Sequence, residues 1–331
     1  MTFGIGIVGC GAIGEKRAQA LGPGGRLVAC ADVDEGRARR LAAERGARVL
    51  ANWRDLIELP EVEVVLVATP HDSLAEVTRV SAEAGKHVLV EKPAARSTAE
   101  LIPVMEAATR AGVRVRVGFN HRYHRALRRA KEIFDAGSIG EVMYVRARYG
   151  HGGRVGYERE WRAQPRLSGG GELIDQGPHV IDLARWFLGD VTEVDGFAHT
   201  YFWPMPVDDN AFLLLRTPRQ QVAFLHVSCT EWKNLFSMEI FGRDGKLEVS
   251  GLGGSYGVER LTCYRMLPGM GPPETTAWEY PMADDSWQAE MADFYEDIRL
   301  SRSPSAGLRD AFETLEIIEK IYRMSGLDHR A

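Results

Sequence analysis

Cysteine is scarce in this sequence: Cys10, Cys30, Cys229 and Cys263 are the only ones in 331 residues, and they stand at no metal-ligand spacing. That excludes a disulfide framework and a cysteine-ligated metal centre, and makes buried, reduced thiols the expectation. Long apolar runs are also missing. None reaches membrane-spanning length, and the first residues enter a strand pattern without a basic segment followed by an apolar one. The expectation is a cytoplasmic protein with no membrane partner. Basic residues are outnumbered, 41 Lys and Arg against 46 Asp and Glu, for a formal net charge of -5. Without any block of like charge, this balance argues against general nucleic-acid affinity. There is no HExxH and no Cys/His cluster, so no metal site is expected. An internal repeat and a Pro/Ser-rich linker are absent too, which points to two halves joined without a flexible tether.

What is present is a globular composition, 45% hydrophobic and 26% charged, in a chain long enough to bury two cores. Residues 2–8 are strand-like and run directly into Gly9-Cys10-Gly11-Ala12-Ile13-Gly14 and a helix-forming run at 15–21. In that context the first glycine permits the tight turn, the second lets backbone approach a pyrophosphate, and the third lets helix and strand pack closely, with the helix N-terminus facing the anion. A second strand at 26–31 ends at Asp32, placed to accept a hydrogen bond from an adenosine ribose. This favours NAD. The carboxylate would repel the extra phosphate of NADP, although Arg37, Arg39 and Arg40 leave NADP open.

Further α/β units follow: a strand at 47–50, a helix near 55–59, a strand at 62–68 ending in Thr69-Pro70-His71, and a helix at 73–84. Val88, Leu89 and Val90 read as a strand buried on both faces, stopping abruptly at Glu91-Lys92-Pro93. A capping box, Ser97-Thr98-Ala99-Glu100, then opens a helix ending near Gly112, and 114–119 is the last strand. The fold class expected is α/β: a dinucleotide-binding Rossmann domain over residues 1–120, with a six-stranded, doubly wound, mostly parallel sheet and right-handed crossovers.

Residues 121–331 predict an α/β domain for substrate binding and oligomerisation, with a large, mainly antiparallel open sheet. A basic helix is expected at 121–136 and a strand at 141–149. An irregular stretch rich in glycine and arginine runs from there to Gly171. Beyond one helix, strands are expected at 192–202, 211–217, 222–230, 236–241, 246–250 and 257–264, separated by hairpin turns. Residues 267–273 read as a loop. Helices at 287–301 and 308–324 close the chain, and these can pack back on the first domain.

Two places suggest chemistry. Lys92 falls at the carboxyl end of a buried strand, the edge where open α/β sheets bind ligands, although a lone lysine there can equally be a solvated turn residue. Asp175 and His179 stand four apart, so on one helix they share a face, and a carboxylate beside an imidazole orients it and raises its basicity. Alternatively Asp175 caps a helix and His179 is a satisfied core residue, and Pro178 favours a helix start nearby.

Four motifs in this order resemble the glucose–fructose oxidoreductase / inositol dehydrogenase (Gfo/Idh/MocA) family of sugar and cyclitol dehydrogenases, over nearly the whole chain. They are the glycine fingerprint ending at Gly14, Ala68-Thr69-Pro70, Glu91-Lys92-Pro93, and the segment from Gly169-Gly170-Gly171 through Asp175 and Gly177 to His179. The resemblance implies a catalytic lysine at Lys92, an aspartate at Asp175 and a histidine at His179. It implies cofactor contacts at Gly9, Gly11, Ala12, Ile13, Gly14, Thr69, Pro70, Glu91 and Asn120, and also at Trp161 and Arg162. It further implies a cis peptide at Lys92-Pro93 that turns the lysine inward, and homodimer or homotetramer contacts through the second sheet. Pro178, where the family has small or apolar residues, leaves the helical relation of Asp175 to His179 open.

The activity this implies is reversible oxidation of a secondary hydroxyl on a sugar, aminosugar or cyclitol, with NAD as hydride acceptor. His179 takes the hydroxyl proton, Asp175 orients it, and Lys92 holds the hydroxyl, though His179 and Lys92 could exchange roles. His151, Tyr157 and Trp232, with Arg154 and Lys233, lie where they could border a substrate pocket, or each can equally be a surface residue. Two other readings stand beside this one: a lyase or glycosidase working through a transient keto-sugar, and a non-catalytic dinucleotide sensor.

Overall fold

A computed structural model of the chain describes residues 2–327. It divides into two compact units, Met1–Phe119 with Trp287–Leu315 and Asn120–Ser286 with Glu316–Ala331.

The first unit is built on strands β1 (Phe3–Val8), β2 (Gly25–Ala31), β3 (Arg48–Val49), β4 (Val64–Val67), β5 (His87–Val90) and β6 (Val115–Val117). They form one sheet in the order β3-β2-β1-β4-β5-β6, and every pairing is parallel. This is the Rossmann order, with its switch point between β1 and β4. Val64 to Val67 and Val88 to Val90 are all buried, so the β-branched runs do occupy strands covered on both faces. Ser97 caps the helix Thr98–Ala111 by accepting the Glu100 N–H, but the Glu100 carboxylate turns back to Arg96, so only half of the expected capping box forms. The helix Ser286–Arg299, far along the chain, puts Met291, Phe294 and Tyr295 into the core of this unit with Phe3, Ile5, Leu66 and Leu89. Burial of each large apolar side chain is worth about 1.5–3 kcal/mol, and Phe3 stacks on Tyr295 with ring centroids 5.4 Å apart.

The second unit carries β7 (Val142–Gly150), β8 (Glu193–His199), β9 (Asn210–Arg216), β10 (Val222–Ser228), β11 (Leu235–Gly242), β12 (Gly245–Ser250), β13 (Glu259–Arg265) and β14 (Glu274–Tyr280). Their order is β14-β13-β12-β11-β7-β10-β9-β8. The sheet is antiparallel apart from β7 and β10, which run parallel side by side at its centre. Strand β14 goes beyond the sequence expectation. It is an edge strand with mostly exposed residues, and so it lacks the apolar alternation that reveals a strand. The helices Arg125–Asp135 and Gly177–Leu188 pack on one face of the sheet.

Two expected helices are divided. The 121–136 stretch is a 3-10 turn, Asn120–Tyr123, followed by the helix Arg125–Asp135. Glu259 on β13 accepts from the backbone N–H of Ala126 and lies 3.2 Å from Nδ1 of His124, satisfying the helix start from a distant strand. Asp175 and His179 do not share one helix. Asp175 ends the short helix Glu172–Asp175, and His179 lies in the first turn of Gly177–Leu188. Pro178 has no N–H to continue the ladder, so the helix restarts there. All four cysteines are buried and free. Among the described residues no helix is long and apolar enough to cross a membrane.

Three histidines create a pH dependence. Burial, the largest effect on each, holds His87, His151 and His226 below the ordinary histidine range. Nδ1 of His87 accepts the Arg114 N–H at 2.9 Å, a bond that protonation would break. The unfolded chain therefore takes up these protons first, near pH 6.5, and the stability present above that value is lost as the pH falls through the lower folded values. We expect the urea midpoint to drop between pH 7.5 and 5.5, and to drop less in His87→Gln, whose side-chain oxygen can still accept the bond without titrating. An equal drop in the variant would sink this account of His87.

Candidate functional site

In the first unit, the residues singled out from the sequence gather at the carboxyl edge of β1, β4 and β5, which are neighbours in the sheet. The glycine loop leaves β1, Thr69 and Pro70 follow β4, and Glu91 and Lys92 follow β5. The helix Ala12–Gln19 begins at Gly11 with no side-chain cap, so its first amides keep their capacity for an anion. A Cβ on Gly14 would lie 2.0 Å from the Gly9 carbonyl oxygen, so this glycine is required by helix–strand packing. Gly11 is different. Its φ of -74° and ψ of -169° are open to any residue, and a Cβ there would meet only Nη1 of Arg37, at 3.9 Å. Space at Gly11 is therefore not limited by the protein itself, which fits a loop left bare for a pyrophosphate.

Asp32 is half-buried, and its carboxylate holds the loop, accepting the N–H groups of Cys10 at 2.6 Å and Asp34 at 2.8 Å. Lone pairs on its two oxygens remain for a ribose hydroxyl. Arg37, near Gly11, pairs with Asp34 at 3.2 Å. These residues fit a dinucleotide. Gly11→Val should leave the unfolding free energy, from urea titration, within about 0.5 kcal/mol of wild type and weaken NADH at least tenfold in a fluorescence titration. Unchanged affinity would contradict the role of the loop.

Glu91 is buried and paired with Arg17. Lys92 is half-buried, the Lys92-Pro93 peptide is cis, and Ala94 follows with a φ of 73°.

In the second unit, the glycine-rich segment is clamped by Asp208. Its buried carboxylate accepts the N–H groups of Gly171 at 2.9 Å and Leu173 at 2.7 Å, and the Tyr322 hydroxyl donates to it at 2.9 Å. That clamp sets the short helix carrying Glu172 and Asp175. Asp175, 4% exposed, accepts from Nε of Arg162 at 2.8 Å, and Asp175 is the main cause of the raised Arg162 pKa. The Arg162 guanidinium also lies 4.6 Å from the Trp161 ring centroid. His179 is buried and stacks on the ring of His121 at 3.8 Å. Asn120 is buried, with its amide donating to the Ser286 hydroxyl at 3.0 Å. His151 lies 3.5 Å from the buried carboxylate of Glu172 and edge-on to buried Tyr157, whose phenol is pushed up chiefly by burial.

Trp232 and Lys233 are different: both side chains are exposed, and Trp232 has a φ of 55° and packs edge-on against Phe202. Arg154 is exposed and paired with Glu160 at 2.6 Å. Sequence reasoning passed over His121, Glu172, Tyr149 and Tyr256. A signal existed for Glu172, an acid buried among apolar residues inside the glycine-rich motif. His121 carried none beyond belonging to a basic stretch.

A parallel sheet opened by a glycine loop, with an acid closing the second strand, defines a dinucleotide-binding protein. Residues 3–119 match the family model described as "Oxidoreductase family, NAD-binding Rossmann fold", and residues 127–248 match the "GFO/IDH/MocA C-terminal domain". The chain belongs to the GFO/IDH/MocA family of oxidoreductases. It is 37% identical over 194 residues to an inositol 2-dehydrogenase of Gluconacetobacter diazotrophicus, a match covering 57% of this chain and 55% of that protein. The chain thus spans about half the length of the curated relatives it matches. The fold is that of a levoglucosan dehydrogenase solved with NADH and levoglucosan, with a TM-score of 0.89, 23% identity, and coverage of 99% of this chain and 98% of that one. GenD2 from gentamicin A biosynthesis, solved in complex with NAD, matches with a TM-score of 0.83 and 25% identity over 98% of this chain and 94% of that one.

Proposed function

We propose that this protein is an NAD-dependent dehydrogenase that reversibly oxidises a secondary hydroxyl on a sugar, aminosugar or cyclitol. The observation that carries this reading is the pairing of buried Asp175 with Arg162, in a family member that also keeps His179 and the strand-end Lys92. NAD, when bound, supplies the hydride acceptor. The chain's own side chains do the rest. His179 takes the hydroxyl proton. Asp175, its carboxylate fixed by Arg162, provides the negative field that favours the imidazolium as it forms. Lys92 holds the hydroxyl oxygen and stabilises its developing alkoxide character. Gly9, Gly11, Ala12, Ile13, Gly14, Asp32, Thr69, Pro70, Glu91, Asn120, Trp161 and Arg162 are the proposed cofactor contacts. His151, Tyr157 and Trp232, with Lys92, Asp175 and His179, are the proposed substrate contacts.

For the substrate, inositol 2-dehydrogenase and the levoglucosan enzyme support a polyol ring, and GenD2 supports an aminoglycoside-like one. The negative net charge leans towards a cationic aminosugar. A second copy of this chain is the proposed macromolecular partner. The sheet face opposite the helices exposes Tyr144, Phe197, Leu214 and Phe224, an apolar area of the kind that marks an interface.

The test is an absorbance assay at the NADH band with inositols, levoglucosan and aminosugars, run with NAD and with NADP. Turnover with NAD on one of these rings is expected. Cofactor binding without any absorbance change across the panel would favour a sensor, and a cleaved glycoside without net NADH would favour a lyase. Light scattering of the purified protein should give a dimer or tetramer, and a monomer at tens of micromolar would refute the sheet contact.

A further inference from the structure

Five strands of the second sheet begin or end in one row: Ser228 pairs with Gly150 and Asn210, Asn210 with His199, and Gly150 with Leu235. The segments 151–171, 200–209 and 229–234 therefore leave the same sheet edge, and they carry a continuous series of rings. Centroids of His151 and buried Tyr157 are 5.6 Å apart, those of Tyr157 and Trp203 5.7 Å, of Trp203 and Phe202 5.2 Å, and of Phe202 and Trp232 4.6 Å. At the inner end, His151 lies 3.5 Å from the Glu172 carboxylate, and the Tyr157 phenol is pushed up by burial and then by Glu172 and Asp175. At the outer end, Phe202 is 55% and Trp232 66% exposed. We propose that Trp232 and Phe202 form a stacking subsite for a second ring, so that the substrate is a glycoside or pseudosaccharide of two rings, one of them seated at Asp175 and His179. This rests on the reading of Asp175 and His179 as substrate contacts and narrows its substrate class.

The backbone holds these rings out in water. Buried Asp209 accepts the N–H groups of Tyr201 at 2.8 Å, Phe202 at 2.7 Å and Trp203 at 3.0 Å, and the Trp203 indole donates to the Cys229 carbonyl at 2.9 Å. Three consecutive aromatic residues are thereby fixed in one arrangement. Trp232 is tied to the inner end of the series, because the Glu231 N–H donates to the His151 carbonyl at 3.0 Å and a Cβ on Gly152 would lie 3.1 Å from the Trp232 backbone. The φ of 55° at Trp232 is left-handed, a conformation unfavourable for a bulky residue. Strain of this kind persists where the surroundings over-determine it, and it gathers at ligand-binding positions. A sugar or cyclitol ring has C–H groups on its faces and hydroxyls around its edge, so an aromatic face covers the apolar part and leaves the hydroxyls in water. The planes of Phe202 and Trp232 stand 87° apart, which makes them two walls of a corner that meets one such ring on a face and an edge. The surface proposed for a second copy lies instead on strands, at Tyr144, Phe197, Leu214 and Phe224.

The test is calorimetric titration of the full chain, with NADH bound, against matched probes: glucosamine with chitobiose, myo-inositol with galactinol, and 2-deoxystreptamine with paromamine. The wild type should bind at least one two-ring probe about tenfold tighter than its single-ring counterpart, the gain expected from covering two exposed aromatic faces. Trp232→Ala and Phe202→Ala should each reduce that ratio to about threefold or less, with NADH affinity within about twofold of wild type as the sign that the chain remains folded. Failure of every two-ring probe to outbind its counterpart would overturn the proposal, and so would a ratio that survives both substitutions. A surviving ratio accompanied by a smaller particle in light scattering would assign the two rings to a contact between copies. Absence of turnover on every probe, with the ratio present in the wild type and lost in the variants, would remove the dehydrogenase reading and leave the two-ring subsite standing.

Discussion

Lys92→Met will remove turnover by about 10²–10⁴-fold, the range for losing a positioned proton-handling or charge-stabilising group, and will leave NADH binding nearly unchanged. Methionine keeps the length and most of the apolar stem of lysine and deletes only the charge and its three donors. The backbone that presents it should not respond, because Val88, Leu89 and Val90 are buried in a central strand and the following Pro93 and Ala94 are buried as well. If Lys92 stabilises alkoxide character that appears only as the hydroxyl ionises, kcat must fall much further than KM rises. NADH titration followed by fluorescence, alongside steady-state kinetics on whichever ring the panel identifies, separates the two effects. Near-normal kcat would remove Lys92 from the mechanism. Lost NADH binding would show that the substitution had disturbed the strand end instead.

Arg17→Met will destabilise the protein by about 3–5 kcal/mol, the usual cost of removing one partner from a buried ionic cluster. Arg17 is 1% exposed. It donates to Glu91 at 2.6 Å and to Glu290 at 2.5 Å, and its guanidinium lies 4.3 Å from the Trp287 ring centroid. One cation thus joins the glycine-loop helix, the strand end that precedes Lys92, and the helix Ser286–Arg299. Without it, Glu290 is a fully buried carboxyl that has lost its main compensation, with only the more weakly acting Arg116 left. Burial already pushes its pKa up, and Arg17 is the main influence pulling it down. In the variant the folded pKa of Glu290 rises further above the unfolded value of about 4.3. The resulting stability is present below that value and is lost as the pH climbs through the folded pKa. The variant should therefore be least stable at pH 7.5 and recover on acidification towards pH 5, as measured by urea unfolding. Adding Glu290→Met should restore part of the loss, because an apolar pair costs less there than an orphaned charge. A variant within about 1 kcal/mol of wild type would mean that the cluster contributes little.

Much of the first unit was legible residue by residue. Its strands are short β-branched runs and its turns carry glycine, Thr-Pro or Lys-Pro, so apolar period and turn chemistry located all six strands to within a few residues. The second unit was legible where strands alternate and illegible where they do not. Strand β14 is exposed along most of its length, and nothing in Glu274 to Tyr280 separates it from a loop until β13 supplies the pairing. The division at His124 depends on Glu259, which is 135 residues away. The break between Asp175 and His179 was foreshadowed by Pro178 alone. Of the residues proposed for the site, the glycine loop, Asp32, Lys92, Asp175 and His179 could be named from the sequence because each belongs to a short motif. Asp208, Tyr322 and His121 were not, because each acts on a motif residue from another part of the chain.

The amino-acid sequence by itself determined the fold class, the strands of the first sheet and the family, since these depend on backbone propensity, apolar period and glycine geometry over windows of ten or twenty residues. Only the tertiary structure decided which groups hold the motif residues: Arg162 on Asp175, His121 on His179, Asp208 on Gly171 and Leu173, and Arg17 between Glu91 and Glu290. Each of those is a buried polar or ring contact. A polar group taken out of water must find its partner wherever folding delivers one, and sequence spacing carries no record of that choice.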